Sequence, residues 1–253
     1  MRITFLGTGT SQGVPIIGCQ CEVCISNFEK DKRLRTSIMI NDNETNVVID
    51  TGPDFRQQML REKVINLDAV VFTHEHKDHI AGLDDIRPFN FLLKKKIDVF
   101  ASHRVQEALK REYAYIFDEV KYPGIPEINL HNIVDKVFMV NDIEFLPILV
   151  YHHKLPVFGF RIKNFCYITD ANFIPEKEKE KIKGCDVLVL NALRNEKHIS
   201  HFTLDEAIEL VNELKPEKAY FTHISHQLGL HENVQKKLPK NIFLAYDGLQ
   251  LEM

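Results

Sequence analysis

"FTHEHKDHIAGLDD" runs from Phe72 to Asp85 and sets His74, His76, Asp78 and His79 within six residues, directly after the apolar run "LDAVVF" at 67–72. A charged, solvated turn is one reading of it. Metal ligation is the other, and the spacing has a physical use there. His74 and His76 are two apart, so an extended backbone lets both face one ion. Asp78 and His79 follow as the chain turns towards a helix, where they can face a second ion. Imidazole and carboxylate donors suit zinc, manganese or iron.

The rest of the chain favours the metal. Strand-like runs rich in Val, Ile, Phe and Tyr recur: "RITFLG" at 2–7, "TSIMI" at 36–40, "NVVID" at 46–50, "DVF" at 98–100, "IEFLPILV" at 143–150 and "VFGFRI" at 157–162. "FCYIT" at 165–169, "DVLVL" at 186–190, "KAYFT" at 218–222 and "NIFLAY" at 241–246 continue the series. Early strands come in consecutive pairs, as in hairpins, and later ones alternate with helices. "TLDEAIELVNELKP" reads as a helix capped by Thr203 and Glu206 and ended by Pro216. "HRVQEALKREYAYIF" at 103–117 reads as another. "LLKKKID" at 92–98 and "PEKEKEKIKG" at 175–184 read as solvated faces. The mixture predicts an α/β fold of two packed sheets with helices outside, as one domain over 1–253.

The polar anomalies fall at strand ends. Asp50 ends "NVVID", His152 and His153 follow "IEFLPILV", Asp170 follows "FCYIT" and His223 follows "KAYFT". Strand ends along one edge of a layered sheet converge in space. Asp170 can then bridge two ions about 3.5–4 Å apart.

"THEHKDHIAG", with "VIDTG" at 48–52, "ITDAN" at 168–172 and "FTHISHQ" at 221–227 in that order, resembles the metallo-β-lactamase-fold hydrolases, and the resemblance extends over essentially the whole chain. It implies an αββα sandwich with two divalent ions, Mn²⁺ or Zn²⁺. One takes His74, His76 and His152, the other Asp78, His79 and His223, and Asp170 bridges them. "HHKL" leaves His152 and His153 as alternatives, with His152 matching the family's H-x-K-L. Asp50 is expected to support the ligand loop without touching metal.

"GCQCEVC" supplies Cys19, Cys21 and Cys24. Core thiols and a redox switch are alternatives to a structural zinc, which accepts three cysteines and a histidine. His226, three residues after His223, is the expected fourth ligand. This pairing resembles one subfamily, the phosphoribosyl 1,2-cyclic phosphate phosphodiesterases. Cys166 and Cys185 lie outside the motif and read as core. His201 in "HISHFTLDEA" matches a subfamily histidine near the scissile phosphate, two residues before the Thr203 cap. The implied mechanism is in-line attack by a hydroxide bridging the two ions. Asp78 is a catalytic-centre ligand in it, and His201 protonates the departing alkoxide. His198 is the weaker candidate, and the intervening "LRNEK" departs from the subfamily.

Composition narrows the class. The 253 residues carry a formal net charge of −4, 44% hydrophobic and 27% charged residues, and five cysteines. That balance does not suggest a general nucleic-acid binder. A tRNA 3′-end endonuclease, a thioester or lactam hydrolase and an oxygen reductase of the same fold are the enzymatic alternatives. A metal- or redox-sensing binding module is the non-enzymatic one. No leader or membrane span is expected, so the expectation is a cytoplasmic protein with a small-molecule phosphodiester as partner and homodimerisation left open.

Overall fold

The β-branched and aromatic runs pair in an order that the hydrophobic pattern alone does not give. A computed structural model describes residues 1–120 and 122–253. Among these, one sheet joins β1 (Arg2–Gly7), β2 (Ser37–Asp42), β3 (Thr45–Ile49), β4 (Ala69–Val71), β5 (Ile97–Ala101) and β6 (Ile128–Asn132) side by side. The other joins β7 (Phe138–Val140), β8 (Ile143–His152), β9 (Leu155–Ile162), β10 (Phe165–Tyr167), β11 (Val187–Asn191), β12 (Lys218–Thr222) and β13 (Ile242–Leu244). The last strand, β14 (Gln250–Glu252), returns to the first sheet and pairs antiparallel with β1, Ile3 opposite Leu251.

Alternation along each strand separates three apolar layers. Phe5, Ile49, Phe145, Phe160, Tyr167 and Val189 point between the sheets. Leu6, Val48, Val70 and Phe72 point outward under α1 (Phe55–Arg61), α2 (Lys77–Ile80), α3 (Arg87–Leu93) and α4 (His103–Glu112). Leu188 and Leu190 point the other way, under α6 (Glu176–Ile182) and α7 (Leu204–Leu214), with α5 (Ala114–Phe117) and α8 (His231–Gln235) completing the helices described. The result is the helix–sheet–sheet–helix sandwich expected from the sequence. Among the described residues, no helix is long and apolar enough to cross a membrane.

The division into early hairpins and late crossovers is corrected. Both sheets are mixed: β1–β3 and β7–β10 run antiparallel, while β3–β6 and β10–β13 run parallel. The early crossover helices α1 and α2 are only seven and four residues long, too short to show a helical period. The helix at 103–117 breaks at Tyr113, whose hydroxyl donates to the Ile80 carbonyl at 2.7 Å. In "PEKEKEKIKG", Glu178 is buried, because it accepts from the Leu149 backbone N–H at 2.9 Å and pairs with Lys181 at 2.8 Å. The Thr203–Glu206 capping box forms, and α7 stops at Lys215 in a left-handed conformation before Pro216. Cys166 and Cys185 are buried in the core.

One buried polar network ties the end of β1 to the C-terminal segment. Arg33 donates to Thr8 Oγ1 at 2.8 Å, to the Ala245 carbonyl at 2.6 Å and to His231 Nδ1 at 3.0 Å. Accepting from a guanidinium requires a neutral imidazole. Burial, and then the Arg33 charge, push His231 down to about 4. The unfolded chain, with an ordinary histidine near 6.5, therefore binds this proton more readily than the folded one. Stability is expected to fall as pH drops from about 6.5 towards 4. Urea unfolding across that range should show a shallower loss in His231→Gln than in the unsubstituted protein, and identical slopes would exclude His231 as a source.

Candidate metal centres

Three residues at the sheet edges adopt left-handed backbone conformations: Asp50 (φ 66°), Asp170 (φ 54°) and His223 (φ 56°). They stand just past β3, β10 and β12. A non-glycine residue held there costs about 1–2 kcal/mol, and such strain gathers at functional sites. The loop after β3 is also locked to α2. Thr51 N–H donates to the His79 carbonyl and Gly82 N–H to the Thr51 carbonyl, both at 2.8 Å. A Cβ on Gly52 would lie 2.1 Å from the Asp78 carbonyl oxygen, and one on Gly82 2.2 Å from that of Gly52. The glycines of "VIDTG" and "HIAG" are thus dictated by backbone lying on backbone.

Asp50 orients the ligand loop. It accepts from Thr73 N–H at 2.9 Å, from Thr73 Oγ1 at 2.8 Å and from His79 Nδ1 at 2.7 Å. With Nδ1 committed, His79 presents Nε2, which lies 3.2 Å from both Asp78 Oδ2 and Asp170 Oδ2. His223 Nε2 lies 3.1 Å from Asp170 Oδ1 and 3.7 Å from Asp78 Oδ2. Neither Nε2 atom makes a directed hydrogen bond, although both are buried. The four groups converge on shared space. Ligand atoms at zinc–nitrogen distances of 2.0–2.1 Å around a tetrahedral ion stand about 3.3 Å apart, so this donor set fits a divalent cation.

Electrostatics point the same way. Burial disfavours the charged imidazole of His79, but Asp170, Asp78 and Asp50 outweigh it and hold His79 well above its ordinary value. His223 is raised to about 9 against its own burial, chiefly by Asp170. Burial pushes the Asp170 carboxyl up, yet His223 and His79 keep it well below the usual range. The cluster attracts positive charge, and a cation meets that demand without protons.

The rings of His74, His76 and His152 face one another next to this group, with centroids 4.6, 5.1 and 6.0 Å apart. His74 Nδ1 is 2.9 Å from Thr73 Oγ1, and its buried Nε2 has no hydrogen-bond partner among the described residues. His152 Nδ1 donates to the Ser200 carbonyl at 2.7 Å, leaving Nε2 towards the cluster. His153 is exposed and engages Asn172 through its backbone N–H. Of the two histidines, His152 is the one that faces the other rings.

His201 lies deeper than a helix N-terminus suggests. Its Nε2 is 3.2 Å from Asp170 Oδ1, its ring stacks on His223 at 4.8 Å, and its Nδ1 is 3.1 Å from His198 Nδ1. Burial holds it down to about 4. His152, Asp170 and His201 themselves form a group with metal-ligand spacing. Thr73 and the Ser200 carbonyl escaped the sequence reading. Thr73 adjoins the motif and could have been found there; a backbone carbonyl leaves no sequence signal.

Beyond the turn, His226 Nδ1 stands 3.4, 3.3 and 3.5 Å from the sulfurs of Cys19, Cys21 and Cys24. Zinc–sulfur and zinc–nitrogen bonds of about 2.3 and 2.0–2.1 Å give a tetrahedral edge near 3.6 Å. The Cys24 backbone N–H, and then His226, bring the Cys21 thiol down to about 6, while burial pushes Cys24 up to about 11. At least one thiolate is ready for a metal.

A cavity of about 520 Å³ opens beside His76 and His152, walled by Arg104, Lys154, Leu155 and Ile199. Arg104 uses only its Nε, towards Glu75. Its Nη groups and Lys154 Nζ have no polar partner among the described residues.

Residues 45–224 match the family described as beta-lactamase superfamily domain. A solved structure of a new diphosphatase from the PhnP family superposes over 100% of this chain and 97% of its own, at a TM-score of 0.94 and 40% identity. Zinc-bound PqqB from Methylobacterium extorquens superposes over all of both chains at a TM-score of 0.82, with 17% identity. A Porphyromonas gingivalis protein named octanoyltransferase is 39% identical over 99% of this chain and 51% of its own length. The chain spans about half the length of the curated relatives it matches.

Two substitutions test the centres. Cys21→Ser is expected to lose about one zinc per chain and to lower the melting temperature, because binding energy at such a site is folding energy. His152→Ala should lose metal from the histidine-rich group, whereas His153→Ala should keep it. Elemental analysis of the purified variants reads both, and the reverse ranking of the two histidines would overturn the assignment.

Proposed function

The chain belongs to the beta-lactamase superfamily, and on that footing we propose that it is a metal-dependent hydrolase of a small phosphodiester, with a cyclic ester as the preferred form. The observation that carries this reading is the convergence of the buried His79 and His223 Nε2 atoms with Asp78 and Asp170 beside a cavity walled by Arg104 and Lys154. Identity of 40% along the whole chain to a diphosphatase supports phosphoryl chemistry over hydrolysis of other esters.

Asp78, His79, Asp170 and His223 would hold one ion; His74, His76 and His152, with Asp170 shared, would hold the other. Two such ions acidify water and neutralise charge on a phosphoryl group. The side chains supply the remainder. Asp50 and the Ser200 carbonyl fix the tautomers of His79 and His152, so that each presents Nε2 inward. Arg104 and Lys154 offer charge-assisted donors to the oxygens of an anionic substrate. Leu155 and Ile199 give its organic part an apolar wall. His201, neutral in the free site, takes up a proton beside the anionic substrate and donates it to the leaving oxygen, with His198 and Ser200 Oγ steadying its other nitrogen.

The competing role for His201 is ligation, since its Nε2 reaches Asp170. His201→Ala separates the two. A proton donor is worth about 10²–10⁴-fold, and less when the leaving group is already a weak base. The variant is expected to keep its metals and to lose far more rate on a ribose cyclic phosphate than on bis-p-nitrophenyl phosphate. Equal losses with metals retained would make His201 a phosphate anchor, and lost metal would make it a ligand. Arg104→Gln should raise KM about 10- to 100-fold with kcat little changed, as expected for one charged hydrogen bond of about 1.5–3 kcal/mol. Absence of turnover on a panel of linear and cyclic phosphodiesters by manganese-loaded protein would overturn the function.

A further inference from the structure

Two donor clusters share one turn. His223 and His226 stand three residues apart after β12. One faces Asp78, His79 and Asp170; the other faces three cysteine sulfurs. Three residues span at most about 10 Å, so the two centres are close neighbours along the chain.

The turn between them is stiff. Ile224 is buried; its N–H donates to the Thr8 carbonyl at 2.9 Å, and its carbonyl accepts from Thr10 N–H at 3.1 Å. Gly9, between those two contacts, is wedged in place: a Cβ there would lie 2.9 Å from the Arg33 carbonyl oxygen. Ser225 N–H donates to the Leu193 carbonyl at 3.0 Å, and the Ser225 hydroxyl accepts from Gln227 N–H at 3.2 Å. Gln227 Oε1 in turn accepts from Arg194 Nη1 at 2.8 Å, which ties the turn to the segment carrying His198 and His201. His223, at the start of the turn, sits in the left-handed region and must be held there. Its far end, His226, begins a 3-10 turn over His226–Leu228 and adds a side-chain tie to the Cys19, Cys21 and Cys24 sulfurs.

We propose that the Cys19–Cys21–Cys24–His226 cluster positions the catalytic centre: with a metal bound there, His226 anchors the turn, and the anchored turn keeps His223 poised as a ligand beside Asp170. This rests on the metal-centre reading but not on the identity of the substrate. The competing account is that the hydrogen bonds of Ile224 and Ser225 suffice, leaving the cysteine cluster to stabilise its own loop.

Manganese affinity of the catalytic centre separates the accounts, measured by calorimetry at 25 °C on folded protein whose cluster zinc content is determined alongside. His226→Ala removes the anchor. His226→Cys keeps it, because tetrahedral zinc also accepts four cysteines. Releasing a left-handed residue worth about 1–2 kcal/mol should weaken manganese binding about 10-fold in His226→Ala, and His226→Cys should restore it. The manganese electron paramagnetic resonance spectrum should follow the same pattern. Unchanged affinity in His226→Ala, with zinc lost and melting temperature lowered, overturns the proposal. If His226→Ala does not fold, the unsubstituted protein gives the answer, because coupling is reciprocal. Manganese in the catalytic centre should then tighten cluster-zinc binding about 10-fold, read by equilibrium competition with a chromogenic zinc chelator, and an identical zinc affinity with and without manganese overturns the proposal. Failure of the unsubstituted protein to bind manganese or zinc at the catalytic centre would remove the metal-centre reading as well. Loss of phosphodiester turnover alone would not touch either.

Discussion

The two carboxylate oxygens of Asp170 are buried and divided among three imidazoles: Oδ2 towards His79, Oδ1 towards His201 and His223. Taking a carboxylate out of water costs several kcal/mol unless donors or cations surround it. Here the compensating groups come from α2, from the segment before α7 and from the end of β12. His79 belongs to the half of the chain that builds the first sheet, and Asp170 and His223 to the half that builds the second. The site therefore exists only when both sheets are packed face to face. Folding also brings together β1 and β14 from opposite ends of the chain. So many long-range contacts imply slow folding.

Much of the site was legible because its chemistry is dense in sequence. The six residues from His74 to His79 supply four donors, and the four from His223 to His226 link both centres. His152 was separable from His153 by its H-x-K-L spacing, and in the structure it is the one turned inward. What stayed hidden depends on pairing across space. Arg104 stands about 30 positions from the motif it flanks and reads as one more charge on an amphipathic helix. The Ser200 contribution is a carbonyl and has no residue signature.

The fold was legible where strands are buried on both faces and obscure where they are not. β11, "VLVLN", is wholly buried and unmistakable. β6, "INLHN", is a half-exposed edge strand whose polar residues mask its period, and β14 is an equally exposed edge. Tyr113 interrupts a good helical pattern where its hydroxyl finds the Ile80 carbonyl of the neighbouring α2. Glu178 is drawn inward by a single strand N–H. In each case a tertiary partner overrode a local preference.

The backbone lock between Gly52 and Gly82 divides the catalytic mouth into two kinds of wall. On one side, Asp50, Asp78 and His79 ride on segments that touch main chain to main chain, where even one added methyl group finds no space. On the other, Arg104, Lys154 and Ile199 are exposed side chains on separate elements, outside that lock. Substitution can thus reshape what the cavity accepts while the donor set stays frozen. Such a scaffold lends itself to divergence: new substrates can be explored by drift at the rim, with the ancestral chemistry retained at the floor.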